Sequence, residues 1–187
     1  RLLAGIPPRT ESISIGYAGY LRITPGAWSR GQTEVKNSMA IDLTGGLEVA
    51  REYVFPQCPE IPGMRDAVNM WVSDDRGVVG LPRFAVEALA PDWDTHDLSV
   101  NIAYPNGRVL SVGASGAAHA TAGPDGLPTV CGAGPLQFRC IEPFRRWDIS
   151  FNGVAEEMTT QGQMDGALPG KGPLTDVEFH IETTMAV

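Results

Sequence analysis

"RWDISFN", residues 146–152, alternates with period two: Trp147, Ile149 and Phe151 share one phase, and Arg146, Asp148, Ser150 and Asn152 the other. Successive side chains of an extended chain leave opposite faces, so this pattern predicts a strand with one apolar and one polar side. Working outward, "DVEFHIE" (176–182) repeats it, with Val177, Phe179 and Ile181 set against Glu178, His180 and Glu182. Leu136, Phe138 and Cys140 lead into the first run. Leu98, Val100, Ile102 and Tyr104 form another, closed by "PNGR" (105–108) and followed directly by "VLSV". There Asn106-Gly107 offers the positive φ angles of a tight hairpin. Near the N-terminus, Ile13, Ile15 and Tyr17 share a phase, as do Val35, Asn37, Met39, Ile41 and Leu43. "AAHATA" (117–122) ends at the turn "GPDG".

No window sustains a helical stripe over three turns. "LTGGLEVAREYV" (43–54) fits a short helix through Leu47, Ala50, Arg51 and Val54, and fits a strand almost as well. "GALPGKGPL" (166–174) reads as a long loop between strands. The expected fold is all-β and antiparallel. Many hairpin-linked strands avoid exposed edges by closing into a barrel or stacking as a strongly curved sandwich.

The 187 residues suit one domain, and 43% hydrophobic content is ample for a core. No apolar run approaches the length of about 18 residues that a membrane-spanning helix needs. The formal charge is −8, with Lys36 and Lys171 as the only lysines. That balance opposes nucleic acid and anionic membrane, which require clustered cations. Three cysteines, Cys58, Cys131 and Cys140, make neither a disulfide framework nor a zinc site. Cys140 falls on an apolar phase and reads as a small buried hydrophobe, and a reducing cytoplasm is the default compartment. The chain begins at Arg1 without methionine and stops within a strand-like pattern. The reading is therefore a piece of a longer protein, whose last strand needs another domain or chain beside it.

Three stretches in order carry a family resemblance: "NMWVSDDRGVVGLPRFAVEA" from Asn69, "VNIAYPNGRVL" from Val100, and "IEPFRRWDISFNGVAEEM" from Ile141. They resemble the lipocalin-like carotenoid 1,2-hydratase (AttH/CrtC-type) superfamily, most specifically through Glu142 to Gly153. The resemblance implies a lipocalin-like (calycin) barrel over residues 61–187, with residues 1–60 as a leader and first strands. It also implies a tandem second lipocalin-like domain, and activities such as hydration of an isolated double bond or cyclisation. The acidic catalytic residues of the hydratase lie largely in that second half, so none carries over to this sequence. The implied function is binding of a hydrophobic small molecule (a terpenoid, steroid or aromatic), with cofactor-free hydration, dehydration or isomerisation as its catalytic form. A non-catalytic carrier and a structural half-domain are the rivals. A lipocalin-type G-x-W also occurs at Gly26-Ala27-Trp28, a pattern common by chance in a chain with 22 glycines.

Candidate site residues follow from strand phase. If alternation survives Gly153, Glu157 joins Trp147 and Phe151, and an unpaired acid beside a tryptophan in an apolar cavity could protonate an alkene or enol. The plainer reading places Trp147 in the core and both Glu156 and Glu157 in water. Asn69, Trp71 and Asp75 share another phase and could orient a polar group of an apolar ligand. The alternative there is a solvated "SDDRG" turn held by Asp74 and Asp75. In "DWDTHD" (92–97), Asp92, Asp94 and His96 alternate, which would suit a general base or a hard metal; an acid-rich loop just before a strand is the plainer reading. His119, among alanines, could face a cavity of small residues or serve structure. His180 reads as an exposed cross-strand charge. No G-x-S-x-G, phosphate-binding glycine loop or Cys/His nucleophile pattern occurs, so no cofactor and no metal are expected.

Overall fold

A computed structural model describes residues 11–18, 21–22, 44–61, 63–87, 91–167 and 170–184. Among them eleven strands form one sheet, antiparallel in all pairings but one. They are β1 (Glu11–Ala18), β2 (Leu21–Arg22), β3 (Arg65–Asn69), β4 (Val72–Ser73), β5 (Val79–Glu87), β6 (Thr95–Ala103), β7 (Arg108–Ala117), β8 (Val130–Ala133), β9 (Leu136–Glu142), β10 (Arg146–Thr159) and β11 (Leu174–Thr184). Among the described residues, helix is confined to α1 (Thr160–Met164) and a 3-10 turn (Val49–Glu52). None of the described helices is long and apolar enough to cross a membrane.

The strand order is β2-β1-β11-β10-β7-β6-β5-β3, with β4 on β5 and β8-β9 branching from β10. Its ends, β2 and β3, do not pair with each other among the described residues, so the sheet is open rather than a closed barrel. β10 is the fork. One of its edges carries β11 along residues 146–156, while the other carries β9 at residues 146–151 and β7 at residues 156–159. The β9-β8 branch folds back towards β6 and β7, tied by a bridge between Ala118 and Ala133. A Cβ on Gly116 would lie 3.0 Å from the Gly134 nitrogen, a close approach that glycine accommodates.

The period-two phases become the core. Leu98, Val100, Ile102, Leu136, Phe138, Ile149, Phe151, Val177, Phe179 and Ile181 are all buried. Phe151 stacks on Phe179 with centroids 5.3 Å apart. Each such side chain contributes about 1.5–3 kcal/mol by leaving water. Cys131 and Cys140 pack as apolar residues.

Several expectations need correction. β11 does not await another domain: β1 runs parallel beside it, from Glu11 opposite Val177 to Ala18 opposite Thr184. In "PNGR" only Gly107 has positive φ (80°), while the Asn106 side chain accepts the Arg108 N–H at 3.0 Å. The loop is thus longer than a two-residue turn. "AAHATA" makes single bridges at Ala118 and Ala122 instead of a strand, because its small side chains bury too little to hold a ladder. Residues 44–54 of "LTGGLEVAREYV" form turns and the 3-10 turn. The Val35–Leu43 pattern and Gly26-Ala27-Trp28 lie outside the described residues.

Candidate binding cleft at the edge of the sheet

Three segments meet at a cleft of about 630 Å³: the end of the 3-10 turn with the chain after it (residues 51–54), β3 with the two residues after it, and Trp147 with the end of β11. Along β3 and onward the even residues turn inward. Asp66, Val68 and Met70 are half-buried and Val72 is buried, whereas Asn69, Trp71, Ser73 and Asp75 are exposed. β3 ends the strand path, so side chains of both its faces border the cleft. Trp71 is 72% exposed, an unusual position for a tryptophan.

Trp147 opens β10 at a register irregularity against β9. It shares the face of Ile149 and Phe151, as alternation requires, with Arg146 exposed on the opposite side. The expected burial is only partial, because the indole stands at the mouth of the core rather than inside it. Its backbone N–H donates to the Thr183 hydroxyl at 3.1 Å, and its Nε1–H donates to Glu52 Oε1 at 2.8 Å. The second bond joins positions far apart in sequence and fixes the ring.

Asp66 is the acid that strand phase alone leaves hidden among apolar neighbours. Its Oδ2 accepts the Phe55 N–H at 2.9 Å. Burial pushes its pKa up, and the Phe55 hydrogen bond and the nearby His96 only partly offset this. His96 is buried on β6, with its ring edge-on to Trp93 at 6.3 Å. Burial, with Glu52 nearby, raises the Cys140 thiol to about 11, and burial also lifts Cys131 well above the ordinary thiol range. Neither thiol is suited to act as a nucleophile.

Other expected site residues lie elsewhere. Glu157 keeps the interior phase but sits at the far end of β10, outside the Trp147 cleft. It pairs with Arg108 Nη2 at 2.6 Å and accepts the Thr175 hydroxyl at 2.7 Å. Arg108 in turn lies 5.2 Å from the Tyr104 ring centroid. Glu156 is also not in open water. Its carboxylate accepts the backbone N–H groups of Gly172, Gly170 and Lys171, which hold its pKa below the usual glutamate range. These residues border a second depression of about 950 Å³.

Asp75 is exposed in its turn, and Asp74 makes the turn bonds, accepting the Arg76 and Val78 N–H groups at 3.0 and 2.8 Å. Phe151 is core. His119 ties the β8–β9 hairpin, through Nε2 to the Gly134 carbonyl (2.9 Å) and Nδ1 to Gln137 (3.3 Å). Asp92 bonds the Asp94 N–H and the Thr95 hydroxyl, so His96 points inward while Asp92 and Asp94 stay outside. Among the described residues no three His, Cys, Asp or Glu side chains are grouped to hold a metal.

The charges flanking Trp147 resolve into a polar outer face. Asp148 joins Arg139 at 2.6 Å and His180 across three neighbouring strands. Of the residues singled out by strand phase, Asn69, Trp71 and Trp147 border this one cleft, while Asp66 and Glu52, which also line it, were not singled out. A carboxylate in phase with Val68 and Met70 was the available signal for Asp66; Glu52 had none. No family model, curated protein or solved structure matches this chain.

Proposed function

We propose that this chain binds an apolar small molecule, of terpenoid, steroid or aromatic character, in the cleft between β3, the 3-10 turn and the start of β10. One observation carries the reading: Asn69, Trp71 and Trp147 border a single cleft whose inner side carries Val54, Val68 and Met70. Its volume lies in the usual range for small-molecule sites, about 300–1,000 Å³. A lining that sets Val54, Val68, Met70 and the two indoles beside Glu52, Asp66 and Asn69 suits a ligand with an apolar body, held by burial and oriented by the polar groups. A lipocalin-like arrangement belongs to the same proposal, supported by a mostly antiparallel sheet whose strands share one apolar core.

In its catalytic form the proposal gives Asp66, rather than Glu157, the proton transfer of a cofactor-free hydration, dehydration or isomerisation. A carboxyl whose pKa is raised by burial retains its proton to higher pH and can deliver it to an alkene. In the carrier form the same cleft only binds.

N-phenyl-1-naphthylamine, whose emission rises in apolar surroundings, tests the binding claim. Trp71→Ala should weaken its binding about tenfold, near 1.4 kcal/mol. The exposed site should leave folding stability within about 0.5 kcal/mol. Unchanged affinity in Trp71→Ala, or no binding by the unmodified chain, would remove the proposal.

A further inference from the structure

We infer that the cleft selects organic cations, meaning protonated or quaternary amines with an apolar body, over neutral molecules of the same shape. The inference rests on the proposed binding cleft and adds the charge class of its ligand. Glu52 and Asp66 both line the cleft, yet each is held by a neutral donor, the Trp147 indole N–H and the Phe55 backbone N–H. Hydrogen bonds of this kind orient a carboxylate without cancelling its charge. Among the described residues no lysine or arginine pairs with either, and Arg51, the one basic side chain among the lining residues, is exposed.

Beside these carboxylates stand two indoles, Trp71 and Trp147. The face of an indole is the best aromatic partner for an ammonium group, and the attraction strengthens where water is excluded. A cation in this cleft would have the Glu52 carboxylate and the two indoles among its neighbours. Its apolar body would rest on Val68 and Met70. The formal charge of −8 acts in the same direction at longer range, drawing cations to the molecule. An anionic ligand would meet the Glu52 carboxylate in the same space.

Benzyltrimethylammonium and neopentylbenzene are isosteres that differ by one positive charge. Tryptophan emission titrations at pH 7 should show the cation binding about tenfold more tightly, a margin of the size expected for cation–π and ionic attraction together. Its affinity should fall as salt is added, while that of neopentylbenzene stays level. In an Asp66→Asn/Glu52→Gln double variant that still binds N-phenyl-1-naphthylamine, the preference should vanish. Equal affinities in the unmodified chain, or a preference without salt dependence, would overturn the inference and leave the cleft proposal standing. Failure of N-phenyl-1-naphthylamine and both isosteres to bind would overturn the two together.

Discussion

Trp147 and Glu157 stand ten positions apart on β10, about 30 Å along an extended strand, and both take its interior phase. At the Glu157 end the charge is closed internally: Arg108 supplies the opposite charge, Thr175 a further bond, and Tyr104 packs on the guanidinium. Glu156 beside it is wrapped by consecutive backbone N–H groups of the 170–172 loop. At the Trp147 end, Glu52 and Asp66 receive one neutral N–H each. The two depressions are thus finished differently. The first is completed by the chain's own cation. The second keeps carboxylates and indoles whose remaining capacity faces a cleft, and a binding site needs such unspent capacity.

The core between the two ends sets the largest effect. Phe151 is 1% exposed and stacked on Phe179, so Phe151→Ala should cost about 3–5 kcal/mol in urea unfolding. A ligand-lining role would instead predict a small stability change with a large binding change. Next comes the closed end. Arg108→Met removes the ion pair with Glu157, both of whose side chains are roughly a quarter to a third exposed. The expected loss is about 1–3 kcal/mol, the range for hydrogen bonds to charged groups. N-phenyl-1-naphthylamine affinity should not change, and a parallel loss of binding would show that the two ends are not separate.

The subtlest effect is a contrast in pH dependence. The folded pKa of Glu156 is depressed, so its contribution is present above the unfolded value of about 4.3 and is lost as pH falls through the folded value. Amide exchange at Gly170, Lys171 and Gly172 should lose protection over that interval, and Glu156→Gln should remove the pH dependence. Asp66 has the opposite sign. Its folded pKa is raised, so the fold favours the protonated form, and stability declines as pH rises from the unfolded value of about 3.9 through the folded one. Asp66→Asn should therefore gain in urea midpoint over the unmodified chain as pH rises from about 4 to 7. A gap that narrows with pH would contradict the burial of Asp66.

Much of the sheet was legible because a strand encodes its two faces locally. The alternations around Leu98, Leu136, Ile149 and Phe179 each settle which side chains are buried without reference to any other strand. The site was legible only in part. Trp71 and Trp147 stand out by residue type, and Asn69 by sharing a phase with Trp71. Glu52 joins Trp147 across 95 positions, a contact that no local pattern encodes. Asp66 was passed over as one acid among many, although its phase sets it with Val68 and Met70.

By itself, the sequence determined an all-β chain, the inward phase of its strands, and a charge unsuited to polyanions. Each follows from side-chain chemistry read over a few residues. Only the tertiary structure decided that β1 pairs with β11 in parallel, that β10 forks between β9 and β7, and that Glu157 and Trp147 belong to different ends. It also decided which carboxylates meet a cation and which meet a neutral N–H. Partner choice depends on distances between segments far apart in the chain, and those distances exist only once the strands have paired.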